Sequence, residues 1–156
     1  MKICLLTVGK TNLGWVREGL ETYTSRLCRY VPFSIREIPD LKATSSMSRA
    51  QVKEKEGEMI LDNITQKDVV ILLDEHGKEF SSTEFAREIE RLAQGGRNIV
   101  FVIGGAFGFS EAVHARCDGK VSLSRMTFPH QMVRTIFTEQ LYRAFTIIKG
   151  EPYHHE

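Results

Sequence analysis

This sequence predicts an α/β protein with a mostly parallel sheet flanked by helices, read as one domain over residues 1–156. Three observations lead there. Apolar runs of strand length alternate with stretches whose apolar residues recur at helical spacing. The connections are short, with no linker or repeat, so consecutive elements are expected to be neighbours in space. Two runs, Val69 to Leu73 and Ile99 to Ile103, are apolar at every position. Strands of that kind sit inside a parallel sheet and are covered on both faces.

Taken in order, Ile3 to Val8 is a short apolar run closed by Gly9, a first strand. Trp15, Val16, Leu20, Tyr23 and Leu27 place a helix over Leu13 to Leu27. Val31 to Ile38 alternates apolar with polar and meets Pro39, the pattern of a half-exposed strand near a sheet edge. Leu41 to Ser48 has no periodicity and reads as a flexible loop, with Ser48 capping a helix over Val52 to Asn63. After the strand Val69 to Leu73, Asp74 to Lys78 reads as a loop. Ser81 or Ser82 caps a helix carrying Phe85, Ala86, Ile89 and Leu92, which ends at Gly95-Gly96. The strand Ile99 to Ile103 leads into Gly104 to Gly108, Ser110 opens a short helix, and Lys120 to Leu123 is a brief fifth strand. Pro129 starts a long last helix that runs to about Ile148.

In such sheets ligands bind beyond the carboxyl ends of the strands. The segments 74–78, 104–108 and 124–129 all leave strands at such ends, so a site is expected among them.

Composition excludes several classes. No apolar run approaches the length of a membrane span, and the opening Met1 to Gly9 lacks the cleavage signal of a secretory leader. Cys4, Cys28 and Cys117 are odd in number and widely spaced, which points to free thiols in a reducing cytoplasm. His114 and Cys117 alone are too few for a metal site, so no metal is expected. Net charge is +1, but it is unevenly spread. Residues 1–50 hold eight Lys/Arg against four Asp/Glu, 51–118 hold eight against thirteen, and 119–156 hold five against three. That map permits a local basic face for RNA or ordinary solvated helix faces.

Four segments have residues suited to chemistry. Gly104-Gly105-Ala106-Phe107-Gly108 is either a turn that brings backbone close to a ligand or a plain tight turn. It is neither a dinucleotide fingerprint nor a Walker loop. Leu123-Ser124-Arg125-Met126-Thr127-Phe128-Pro129-His130 could wrap a flat base in Leu123, Met126 and Phe128, or merely connect strand to helix. The last helix carries a broad stripe of Met132, Val133, Ile136, Phe137, Leu141, Ala144, Phe145 and Ile148, wide enough for a core and a second subunit. Arg134, Glu139 and Arg143 lie off that stripe, and Glu139 and Arg143 are four apart, as in a simple ion pair. The tail Gly150 to Glu156 holds Tyr153, His154 and His155, and imidazoles titrate near neutrality. It is either functional or a frayed end.

Read together, Ile103-Gly104-Gly105 with Gly108, the run Leu123 to His130, the segment Glu139 to Ala144 and the tail Pro152-Tyr153-His154 resemble the RlmH family. Met1-Lys2-Ile3, Val8-Gly9 and Lys55-Glu56-Gly57 extend the resemblance along the chain. These are bacterial 23S rRNA (pseudouridine-N3)-methyltransferases, minimal members of the SPOUT class. The resemblance implies a trefoil knot over roughly 99–156, a homodimer and S-adenosylmethionine as methyl donor. As substrate it implies a pseudouridine of 23S rRNA in the assembled 70S ribosome. The implied donor contacts are Leu73, Gly105, Leu123, Ser124, Arg125, Met126, Thr127 and Phe128. His130, Glu139 and His154 become candidate bases or orienters, and Arg143 a candidate stabiliser of the imide anion. Arg134 and Tyr153 become candidate RNA contacts.

The sequence departs from the family in the polar Asp74-Glu75-His76 segment and in ending on His155-Glu156, where a basic residue is usual. Competing expectations are a SPOUT enzyme acting on tRNA, a non-catalytic ribosome-binding or RNA-binding factor of the same fold, and a flavodoxin-like nucleotide-binding protein.

Overall fold

A computed structural model describes all residues 1–156. In chain order the elements are β1 (Ile3–Val8), α1 (Gly14–Leu27), β2 (Phe33–Ile38), α2 (Arg49–Asp62) and β3 (Val69–Glu79). They continue with α3 (Ser82–Ala93), β4 (Ile99–Ile103), α4 (Glu111–Arg116), β5 (Gly119–Ser122) and α5 (Met132–Ile148). The strands form one five-stranded sheet in the order β2-β1-β4-β3-β5, with every neighbouring pair parallel.

Alternation along the strands divides the core in two. Ile3, Leu5, Val69, Ile71, Ile99 and Phe101 face α1, α3 and α5 through Leu27, Phe85, Ile89, Phe137 and Leu141. Leu6, Val8, Val70, Leu72, Val100 and Val102 face α2 and α4 through Ile60 and Val113. A sheet with both faces covered needs apolar strands throughout, which is why β3 and β4 begin as unbroken apolar runs. No helix is long and apolar enough to cross a membrane.

Capping residues set the helix starts. Ser48 accepts from the Gln51 N–H while the Gln51 side chain accepts from the Ser48 N–H, and Ser81 with Glu84 repeats this box on α3. Ser110 caps α4 by accepting from the Val113 N–H.

Three expectations change. The 41–48 loop contains a 3₁₀ turn at Thr44–Ser46. The 74–78 segment is not a free loop: β3 continues to Glu79, with an irregularity in its pairing to β5 between Leu73 and Lys78. Both of those residues align with Val121, so the four residues between them bulge. Gly77 permits this, because a Cβ there would lie 2.7 Å from the Lys120 and Val121 backbone. Finally, α5 starts at Met132 rather than Pro129. The preceding turn is tied instead to the loop after β1: Gln131 donates to the Lys10 carbonyl and accepts from the Asn12 N–H.

Candidate active site

Leu73 is in register with Ile103 on one side and with Val121 on the other. The segments that follow these three strands therefore emerge together, and between them lies a cleft of about 720 Å³. That volume suits a small-molecule site. Leu73, Ile103 and Val121 form its apolar floor, and Gly104–Phe109 one wall. Leu123, Ser124, Met126, Thr127 and Phe128 form another, with Asp74, Glu75 and His76 beside them.

The 123–128 segment is held by its own polar groups. The Ser122 hydroxyl donates to the Ser124 carbonyl at 2.9 Å, and the Ser124 hydroxyl accepts from the Met126 N–H at 3.0 Å. The Thr127 hydroxyl donates to Glu75 at 3.1 Å, which binds the loop to the bulged end of β3. Of the predicted donor contacts, Leu73, Gly105, Leu123, Ser124, Met126, Thr127 and Phe128 all line the cleft. Arg125 does not: its side chain is 87% exposed and turns out toward Glu79, 3.7 Å away.

The glycine wall is packed from behind. A Cβ on Gly105 would meet the Glu56 carboxylate at 2.6 Å. Glu56 Oε1 is buried without a hydrogen-bond partner. Burial first, and the charge of Asp40 second, push its carboxyl above the usual carboxylate range. Facing the cleft, His114 has a buried Nδ1 that is also unpartnered.

The last helix separates the remaining candidates. His130 sits at the cleft rim together with Val133. Arg134, expected on RNA phosphate, is 0% exposed. Its guanidinium donates to the Val8 carbonyl at 2.8 Å, and to the Gly9 carbonyl and Thr11 hydroxyl at 2.9 Å. Glu37 lies 3.4 Å away and also accepts from the Thr11 N–H. Burial lowers the Arg134 pKa, with Glu37 and Asp40 opposing, but guanidinium remains charged. Arg134 is thus an internal clamp between α5 and the end of β1.

Glu139, Arg143, Tyr153 and His154 come together at the far end of α5. Arg143 donates to Glu139 Oε1 at 2.6 and 3.1 Å, and the Tyr153 hydroxyl donates to the same oxygen at 2.9 Å. Arg143 Nη1 lies 3.1 Å from His154 Nδ1, and its guanidinium stacks 4.8 Å from the Tyr153 ring centre. Burial, then the hydrogen bond to Glu139, raise the Tyr153 hydroxyl far above its ordinary pKa. The Glu139–Arg143 ion pair exists, as its spacing suggested, but it is the centre of a larger network that pins the tail. None of these four residues lines the cleft. Arg143 lies ten positions beyond Val133, or about 15 Å along a helix.

Residue-type reasoning missed Arg49, Lys53 and His114 as site residues, all of which line the cleft, while Phe107 lies in the expected 104–108 segment. The available signal was the i, i+4 spacing of Arg49 and Lys53 at the start of α2, which puts both cations on one face.

Comparison with known proteins identifies the family. The family model described as predicted SPOUT methyltransferase matches residues 1–154. A ribosomal RNA large subunit methyltransferase H from Parabacteroides distasonis is 50% identical over 157 aligned positions, covering all of both chains. The protein of the same name from Christiangramia forsetii is 52% identical, covering 99% of each. A SpoU methyltransferase, AviRb from Streptomyces viridochromogenes, solved in complex with the cofactor AdoMet, aligns with 96% of this chain and 61% of its own. That alignment has 14% identity and a TM-score of 0.44. The chain belongs to the SPOUT methyltransferase family, in the branch of the ribosomal RNA large subunit methyltransferase H proteins.

Proposed function

We propose that the protein transfers a methyl group from S-adenosylmethionine to N3 of a pseudouridine in 23S rRNA of the assembled 70S ribosome, in the cytoplasm and as a homodimer. One observation carries this reading. The chain is half identical, over its whole length, to ribosomal RNA large subunit methyltransferases H, and it forms a cleft where three parallel strands end. The class also implies that residues 99–156 thread a trefoil knot. In support, β4 and β5 lie on opposite sides of β3, so the chain crosses over that strand between them.

The residues present fit the donor. Leu73, Ile103, Val121, Leu123 and Phe128 offer apolar surface to a flat base. Asp74 and Glu75 place negative charge where a sulfonium or ammonium would be held, and the partnerless Nδ1 of His114 is free for a polar group. The glycine wall admits close backbone approach, since a side chain at Gly105 would displace Glu56. When bound, S-adenosylmethionine supplies a methyl already activated on positively charged sulfur.

What remains for the chain is alignment, proton removal and charge stabilisation. The target nitrogen lies between two carbonyls, so it becomes nucleophilic when its proton leaves and the charge spreads over both oxygens. His130 is positioned at the rim to take or relay that proton. Glu139, Arg143, Tyr153 and His154 lie too far along α5 to serve the cleft of their own chain. This separation supports a homodimer in which one protomer's tail approaches its partner's cleft. There Arg143 would steady the oxygens, and His154, whose Nε2 makes no hydrogen bond and has the Glu156 carboxylate 3.5 Å away, would assist the proton.

Methylation of ribosomes from a strain lacking the mark, compared with free rRNA and tRNA, tests the substrate. Transfer to tRNA alone would indicate the sister specificity. No heat of binding with S-adenosylmethionine would indicate a non-catalytic RNA-binding factor.

A further inference from the structure

The cleft has a polarity that donor binding leaves unexplained. Besides the acidic Asp74 and Glu75, its lining includes Arg49 and Lys53 of α2 and Phe107 of the glycine wall, which together form a lip. Phe107 is 42% exposed, at the crest of a turn closed by Gly108 with φ 80°. The Arg49 guanidinium lies 5.3 Å from the ring centre. Neither Arg49 nor Lys53 takes part in any ion pair of the chain. An exposed ring with a guanidinium against it and a second cation one helical turn further on, neither in an ion pair, is the combination that holds single-stranded RNA, the ring stacking a base and the cations meeting phosphates.

We infer that Phe107, with Arg49 and Lys53, is a substrate subsite that stacks an unpaired nucleotide next to the methylated base and grips its phosphates. The inference rests on the RNA methyltransferase reading above. Its occupant is single-stranded RNA, because both free charges are positive and the ring is open to solvent beside the cleft mouth. Stacking tolerates any base, so this lip recognises a splayed loop rather than a sequence.

The test measures methyl transfer to ribosomes lacking the mark, with donor affinity measured separately by calorimetry. Phe107→Ala should raise the KM for ribosomes about tenfold while the donor Kd stays unchanged. Phe107→Trp, which keeps a flat face, should restore the wild-type KM; Phe107→Leu should not. Arg49→Ala with Lys53→Ala should lower the slope of log KM against log salt by about 1.4, at roughly 0.7 per phosphate contact on a single strand. Three results would overturn the inference: a parallel loss of donor affinity, which assigns the lip to the donor; a dimer that dissociates on Phe107→Ala, which assigns it to the subunit interface; or an unchanged ribosome KM. Wild-type protein that binds donor but methylates no ribosome would instead overturn the functional reading on which the lip depends.

Discussion

At its N-terminal end α5 borders an open cleft, and at its C-terminal end it is folded upon by the tail. Around His130 and Val133 the walls contain His114 Nδ1, which has no hydrogen-bond partner, and the α2 cations Arg49 and Lys53, which form no ion pair. Around Glu139 and Arg143 most polar groups are spent within the chain, on Tyr153, His154 and Gln140. Both ends carry His, aromatic and charged residues, so residue type does not distinguish them. The share of polar groups already bonded does. On the proposed reading the first end receives a ligand; the second holds a tail in one place, and acts chemically where that tail is delivered.

Perturbations should separate these two ends. The largest effect belongs to Arg134, which joins α5 to the turn after β1. Arg134→Ala should cost about 3–5 kcal/mol in urea denaturation, because the buried Val8 and Gly9 carbonyls and the Thr11 hydroxyl lose this donor together. Weaker ribosome binding at unchanged stability would restore Arg134 to the RNA surface.

His154→Ala should lower turnover about 100-fold, within the range for a positioned acid or base, and leave donor affinity at the cleft alone. Equal turnover would remove the tail from the chemistry and leave the comparison purely structural.

Gly77→Ala, by contrast, should act at the cleft end. The added methyl meets β5 backbone, so it should cost about 1–3 kcal/mol of stability. Donor affinity should weaken with it, because the displaced 74–79 segment holds the 123–128 loop through Glu75 and Thr127.

The smallest effect is alkaline. Tyr30 is raised to about 12 by its hydrogen bond to Glu151, and Tyr153 is raised further by burial and Glu139. Both folded-state values exceed the ordinary value of 10. The corresponding stability is therefore complete below pH 10 and lost as pH rises toward 12 and beyond. Ultraviolet titration should show delayed tyrosinate formation, and Tyr153→Phe should delete the latest phase at a cost of about 0.5–1.5 kcal/mol.

Much of this arrangement is legible in the residues. Apolar runs disclose β1, β3 and β4 because burial on both faces leaves no place for polar side chains. Gly105 and the run 123–128 point to the cleft because they follow strands at the sheet's carboxyl edge. The rest depends on contacts remote in sequence. Asp74 to Lys78 is polar enough to look like a loop, yet pairing with β5, more than forty residues later, keeps it in the sheet. Arg134 looks solvent-facing by type, and only the carbonyls of Val8 and Gly9 explain its burial. The resemblance puts the tail in one site with residues 123–130, but within the chain the length of α5 separates them.

The most direct measurement is mass-spectrometric mapping of RNA after the protein and S-adenosylmethionine are incubated with 70S ribosomes that lack the mark. The expected result is one added methyl at N3 of a pseudouridine in 23S rRNA, abolished when S-adenosylmethionine is left out. Donor binding with no methyl on ribosomal RNA, or a methyl found only on tRNA, would contradict it.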